Sequence, residues 1–440
     1  MKEEKVQMRK QNMKLFPIYK RLSWDYLFYY TIVFLFLTQV KKINAADVVL
    51  LDSFYFIFSI FAQIPSTFII EFFGRKNSTI IANVLNCMYM ITIIFGNSLT
   101  NLIIGKVFCS IAFAIKNSTE PSLLNESIPP TKLKSKIFAR INEKGMSGYH
   151  IMNAISTIIA GFLYEINPFI PMTLSLITLI IVTLLSILFV EPVQRKSKKV
   201  KDENSLKEMK KAFKFVLKSE RLKGLLLFSG VMVGFTKLLS NSYEVSMLND
   251  LEIPASLLGF VFAILGILSS FYTSHQEAFH NRFRNKSLTI LGYLATGSCV
   301  LAGVSGIIAR KYNIGLVLVM IFYAVQFMVV GIFYPLIEKY LSNFANKKID
   351  TKIYTVNNLI KGVMGAITGV VGSFLLERME TAYCMIIIGI LFGIIIVLVS
   401  HFMKGRVGLK PSEYSKEEVK YDKLKEMMSI QGQVQDGHGR

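Results

Sequence analysis

Between residues 65 and 81 one apolar run ends, six residues carry Glu71, Gly74, Arg75 and Lys76, and a second apolar run begins. A connection that short has no room for a domain. It turns the chain back at a membrane surface and leaves its charges in the headgroup region. Gly74 permits the tight bend, and Glu71 sits within reach of the two cations. The rest of the chain repeats the pattern. Of 440 residues, 52% are hydrophobic and only 18% are charged. Many apolar runs approach or exceed the roughly 18 residues that mark a membrane-spanning helix.

The formal net charge of +21 would indicate nucleic acid in a soluble protein. Here the cations fall between the apolar runs, as the positive-inside bias of membrane proteins requires. No nucleic-acid partner is therefore expected. The basic stretches 195–201 and 416–425 are expected on the anionic inner leaflet, at about 1 kcal/mol per cation. Cys87, Cys109, Cys299 and Cys384 all lie inside apolar runs without metal-ligand spacing. They read as packing residues, and neither a disulfide framework nor a metal is implied. The basic N-terminus lacks a small-residue cleavage site, so the first apolar run is a retained helix.

In order, residues 1–22 read as a cytoplasmic basic arm, and span 1 follows at about 24–40. Trp24, Tyr26, Tyr29 and Tyr30 suit the interface at its start. Spans 2 to 6 are expected near 48–70, 78–95, 101–126, 145–164 and 168–190, closing a first bundle over 23–190. The charged stretch 191–222 reads as a cytoplasmic linker, with helical spacing from Leu206 to Leu217 that suggests an amphipathic surface helix. Spans 7 to 12 follow near 223–247, 255–274, 287–309, 314–338, 353–376 and 382–403, a second bundle over 223–403. A charged cytoplasmic tail, 404–440, ends the sequence.

Two internal tests support twelve spans. With the N-terminus inside, 41 of the 50 Lys and Arg residues fall in cytoplasmic segments and five in outer loops. The other four lie within spans. Such asymmetry puts both ends in the cytoplasm and requires an even number of crossings. The second test is an internal repeat. Residues 153–165, NAISTIIAGFLYE, align without gaps to 365–377, GAITGVVGSFLLE, with five identities at an offset of 212. The same register sets Arg140 on Lys352, Leu124 on Leu336 and Glu126 on Glu338. Span 5 thus matches span 11, and span 4 matches span 10. The fold class is an all-α polytopic membrane protein of twelve transmembrane helices in two pseudo-symmetric six-helix bundles.

The 65–81 loop resembles the loop between helices 2 and 3 of the major facilitator superfamily, whose pattern is Gly-x-x-x-Asp-Arg-x-Gly-Arg-Arg. Gly74, Arg75 and Lys76 fit, while Thr67, Glu71 and Phe72 replace the first Gly, the Asp and the first Arg. Leu102-Ile-Ile-Gly-Lys106 resembles that superfamily's Leu-x-x-x-Arg motif, with Cys109 and Ser110 where Gln and Gly follow. Glu126-Ser-Ile-Pro-Pro-Thr-Lys132 resembles its acidic-proline-basic exit of helix 4. With the twelve spans and the repeat, the resemblance covers nearly the whole chain. It implies a bacterial cytoplasmic-membrane transporter, a monomer without a cofactor. Helices 1, 4, 7 and 10 would line a central cavity, and helices 2, 5, 8 and 11 would rock against each other.

Charges at membrane depth cost about 2.5–3.5 kcal/mol each on insertion scales, so each needs a partner or a wet cavity. The deep ones are Lys106, Lys116, Glu120, Lys237, Glu244 and Lys361, with Asp52 one turn from the outside. Lys116 and Glu120 are four apart on one helical face. They are either a self-neutralising pair or a site. As a site, Lys116 and Lys237 would face each other across the halves and hold an anion, with Glu120 as the proton-coupling carboxylate. Glu244, Gln326 and Tyr323 join the expected cavity set. Lys361 either joins it or snorkels to the inner surface. His150, Gln63, Asn153, Asn241 and Asn357 more often bond helix to helix. A cytoplasmic gate is expected from Glu71, Gly74, Arg75, Lys76 and Glu126, with Arg282, Arg284 and Glu338 as their weaker counterparts in the second half.

No catalytic constellation and no Walker loop are present, so the chain does not read as an enzyme or an ATP-driven pump. The expectation is a secondary active transporter of a small polar or anionic organic solute, coupled to protons and working by alternating access. A proton-driven drug or metabolite exporter is the alternative. Residues 147–163 lack the proline of that class and keep only Gly148 and Gly161. A non-transporting receptor or a lipid scramblase on the same scaffold is the reading from another class.

Overall fold

The computed structural model describes residues 2–129, 134–191, 220–344 and 350–404. Most of the 191–222 linker and of the 404–440 tail, with the basic stretches in them, lies outside the described residues. The first half comprises α1 (Lys2–Ser23), α2 (Tyr30–Leu35) with a π-helical turn (Phe36–Val40), α3 (Ala45–Phe95), α4 (Leu99–Ser127), α5 (Lys134–Ile166) and α6 (Phe169–Ile187). The second comprises α7 (Glu220–Leu238), a π-helical turn (Leu239–Tyr243), α8 (Glu244–Asp250), α9 (Ala255–Ser274), the short α10 (Gln276–Phe283), α11 (Ser287–Ala309), α12 (Asn313–Phe344), α13 (Asp350–Leu376) and α14 (Thr381–Lys404). Ten stretches among the described residues are long and apolar enough to cross a membrane. Span 1, built in two pieces, and the more polar α5 complete the twelve.

Span 1 departs from the sequence expectation. The presumed free arm is helical, and Asn12, Phe16, Tyr19, Lys20 and Ser23 near its end are buried, packed against α4, α5 and α6. The chain then leaves the helix over residues 24–29 and resumes it as α2. Phe28 adopts a φ of 60° there, a region that bulky residues rarely visit. Lys14, Lys20 and Arg21 gave this stretch its soluble look. Lys20, however, meets Glu120 of α4, and a buried cation persists where it is paired and hydrogen-bonded. From Tyr29 to Val40 the chain rises about 16 Å, half of a hydrocarbon core of about 30 Å. The interruption therefore lies near the membrane midplane.

Tyrosine hydroxyls pin both pieces of span 1 onto α3. Tyr19 meets Asn83 at 3.2 Å, Tyr26 meets Asn86 at 2.7 Å, and Tyr29 meets Tyr89. The three partners are spaced by three residues and share one helix face. α3 comprises two helices, spans 2 and 3, that meet at Gly74, whose φ is +79°.

The halves repeat each other's packing. α1 lies on α5 as α7 lies on α13; α3 lies on α6 as α11 lies on α14. Between the halves, α3 packs on α13 and α5 on α9, which are equivalent contacts under the repeat. Gly365 makes the first possible, since an added methyl would sit 2.7 Å from the Phe56 ring. Among the described residues, three hydrogen bonds join the halves. Gln39 donates to Asn249 at 2.7 Å, Asn241 to Asp52 at 3.1 Å, and the Ser256 amide to Glu165 at 2.9 Å. All three lie toward the face away from Gly74 and the ends of α1 and α14. We call this the distal face, and the other the terminal face. The bundles are thus joined distally.

Candidate functional site

The break in span 1 exposes backbone and side chains that a continuous helix would hide. Asp25 lies within it, half-buried. Its Oδ1 accepts the Tyr26 amide at 2.9 Å and the Tyr30 hydroxyl at 2.6 Å. Lys116 of α4 donates to the Trp24 carbonyl at 3.4 Å. A cation there compensates the negative end of the α1 dipole. Lys20 stacks over the Trp24 ring with Nζ 4.3 Å from its centroid, and it pairs with Glu120. Glu120 also accepts the Tyr19 hydroxyl at 2.9 Å, while Lys116 stands 4.0 Å away. Glu120 is therefore the shared counter-ion of two lysines, and its nearer one comes from α1.

A second cluster sits nearer the distal face. Lys106 pairs with Asp52 at 2.8 Å, and Asn241 donates to the other Asp52 oxygen. Asp52 and Lys237 both line a small cavity of about 10 Å³, room for one water, between α3, α7 and α13, with Phe56, Asn241, Gly365 and Gly369. Lys237 has no ion-pair partner among the described residues. Lys106 and Lys116 are ten residues apart on α4, a rise of about 15 Å. Lys116 and Lys237 consequently belong to different clusters. The arrangement in which they face one another around a single anion is not formed.

The third group is enclosed in the second half. Glu244 is buried, and its Oε2 has no hydrogen-bond partner among the described residues. Tyr323 donates to the Glu244 carbonyl at 3.3 Å. Gln326 is buried with neither amide atom bonded to a described residue. Lys361 is half-buried, within electrostatic reach of Glu338.

At the terminal face Glu191, at the end of span 6, governs the loop after span 2. Its two oxygens accept the backbone amides of Arg75 and Lys76, each at 2.7 Å. An added methyl on Gly74 would lie 2.7 Å from Glu191 Oε1, so the turn needs glycine for both its φ and its space. Arg75 reaches Glu126 at 3.3 Å. Both residues belong to the first half, and the pair forms while the halves are joined distally. It braces that half internally, within the set of residues expected to form the gate. The Glu71 side chain lies outside the described residues. Arg282 is exposed in the last turn of α10, Arg284 just beyond it, and Glu338 is exposed on α12. The gate residues of the second half therefore do not reproduce the Gly74 turn.

At the distal end, Glu165 accepts from Ser256 at the start of α9, and this bond holds its carboxyl below the usual carboxylate range.

Sequence reasoning missed Asp25, Lys20, Tyr19 and Glu191 as site residues. Asp25 and Lys20 carried a signal: opposite charges flank Trp24 just ahead of an apolar run that is short for a crossing. Glu191 stands directly before Pro192 at the exit of span 6, where an acid can cap a neighbouring turn.

Twelve spans in two repeated bundles, with charges buried at membrane depth in both, define a transporter fold of the membrane. The chain belongs to the Major Facilitator Superfamily, whose sequence profile matches residues 22–368. No curated protein matches it by sequence. Among solved structures it resembles the nucleoside transporter NupG, with a TM-score of 0.69 at 12% identity, covering 92% of this chain and 100% of that one. It also resembles a POT family transporter in complex with 5-aminolevulinic acid, with a TM-score of 0.66 at 14% identity over 91% and 96% of the two chains. A D-xylose-proton symporter matches with a TM-score of 0.65 at 11% identity over 88% and 96%.

Proposed function

We propose that this chain is a secondary active transporter that carries a small polar organic solute through the space between its halves by alternating access. It acts by moving its solute and not by transforming it. The observation that carries the reading is the interruption of span 1 at the midplane. Irregular backbone at that depth is tolerated only where it is enclosed by protein or lines a wet cavity, and broken helices mark solute sites in transporters. The nucleoside, sugar and peptide-family transporters that share the fold support the general class. The Lys and Arg distribution supports a cytoplasmic terminal face, which makes this the state closed toward the outside.

Proton coupling is assigned to Glu244 in place of Glu120. Glu120 is neutralised by Lys20, whereas an unpaired buried carboxylate carries a desolvation cost that a bound proton removes. The test is counterflow in proteoliposomes loaded with candidate solutes, with and without a pH gradient. A transporter exchanges labelled solute across the bilayer without net drive; a receptor or a scramblase does not. Absence of counterflow for any solute that binds would sink the reading.

A further inference from the structure

We propose that the break in span 1 binds a cationic, amine-bearing solute, with Asp25 as its counter-ion and the Trp24 and Tyr30 rings as walls. This rests on the transport reading above and names the class of cargo at that site.

The inference starts from which charges are free. The two lysines beside the break are both only 4% exposed. Lys20 is held by Glu120 and the Trp24 ring, and Lys116 by the Trp24 carbonyl. An anion could recruit them only by breaking those contacts. Asp25 is the opposite case. Its Oδ1 is fixed by two neutral donors, which orient the carboxylate without cancelling its charge. No partner for Oδ2, and no cation within ion-pair distance of Asp25, is found among the described residues.

The walls agree in sign. Trp24 and Tyr30 keep 37% and 36% of their surfaces open, although they lie at the middle of the bundle. The Tyr30 hydroxyl is bonded to Asp25, so its ring stands beside the carboxylate. Aromatic faces attract cations, and one face of Trp24 already accepts Lys20. α1 ends at Ser23, and Lys116 on the Trp24 carbonyl already compensates the negative end of its dipole, so the attraction for a further cation comes from Asp25 and the rings. An ammonium group at the break meets a carboxylate and two ring faces, while Lys116, within electrostatic reach of Asp25, stays bonded to the Trp24 carbonyl. An anion meets the same groups with the wrong sign.

Trp24 is the only tryptophan of the chain, so tryptophan emission of the full-length protein reads this site alone. Choline and putrescine serve as cationic probes and succinate as the anionic one. At least one amine is expected to change the emission saturably, and succinate is expected to leave it unchanged. Asp25→Asn should weaken amine binding roughly tenfold or more, the loss of one charge-assisted contact, while Asp25→Glu retains most of it. Both variants are first matched to wild type by size-exclusion elution and emission maximum. A response to succinate and not to the amines overturns the inference, as does no response to any probe. An amine response unaltered in Asp25→Asn overturns it too. Counterflow of the bound probe is measured in parallel. Amine binding without counterflow breaks the transport reading and keeps the site; succinate counterflow without amine binding does the reverse.

Discussion

Spans 1 and 7 hold equivalent places in the two halves, and near the distal face they match. Each carries a π-helical turn, Phe36–Val40 in one and Leu239–Tyr243 in the other. Each turn presents an amide to the opposite half, Gln39 to Asn249 and Asn241 to Asp52. π-turns recur at functional positions because the extra residue re-aims a side chain. Toward the midplane the two spans part. Span 1 unwinds, and the lysine and carboxylate beside the break are paired. Span 7 continues unbroken through Glu220–Leu238, and its Lys237 and Glu244 have no ion-pair partner among the described residues. The repeat therefore preserves the closing contacts and divides the rest. One half pairs its lysines beside an open backbone and leaves Asp25 there without a cation, while the other keeps a rigid helix whose charges have no ion-pair partner among the described residues.

That division is broken most directly at the two buried glutamates. Glu120→Ala should destabilise the protein by about 3–5 kcal/mol, because it strands Lys20 and Lys116 without their acid. A large fall in Tm of the purified protein measures it. Glu244→Gln should leave Tm close to wild type and remove only the response of uptake to a pH gradient. If the two variants behave alike, the contrast between the spans is wrong. Next in size is Asp52→Ala, which removes the partner of both Lys106 and Asn241. Of the two, the charge-assisted bond to Asn241 crosses between the halves, and its loss, worth roughly 1.5–3 kcal/mol, should shift the population toward distal opening. Distances between spin labels at Lys42 and Lys311, exposed distal positions of the two halves, would lengthen. Asn241→Ala should produce the same shift at the same magnitude, because it removes that crossing bond and leaves Lys106 paired with Asp52.

The smallest effect concerns Glu165. Its carboxyl titrates lower when bonded to Ser256 than when the halves part. The bond therefore favours distal closure above the ordinary carboxylate range and is lost as pH falls through the lowered value. Distal spin-label distances should lengthen on acidification in wild type. In Glu165→Gln that component should be absent, and an identical pH response would remove Glu165 from the closure.

Much of the architecture was legible in the sequence, because membrane crossings declare themselves through long apolar runs and the charge asymmetry between loops. The 212-residue register anticipated the equivalence of α5 with α13, and Gly74 declared its turn. The site was less legible for a definite reason. Hydropathy reads a lysine as solvent-facing, yet Lys20 is buried against a glutamate one hundred residues away. That pairing hid half of span 1. It also left Lys116 looking available to a solute when the Trp24 carbonyl holds it. Asp52 was noticed as a deep charge, but its partners Lys106 and Asn241 come from two different halves, which local spacing does not reveal.

The two-piece build of span 1 has a consequence for how the protein reaches its membrane. The stretch from Tyr30 to Val40 is shorter than a crossing, and α1 is too polar to insert by its own hydropathy. Neither piece holds a place in lipid alone. Their anchors, Asn83, Asn86, Tyr89 and Glu120, are all synthesised later. Span 1 must therefore wait near the interface until α3 and α4 have entered, and then insert against them as a folding step. A nascent chain arrested after residue 44 should remain extractable by alkaline carbonate, whereas one arrested well past residue 127 should resist extraction. Integration of the shorter chain would show that the first span needs no partners.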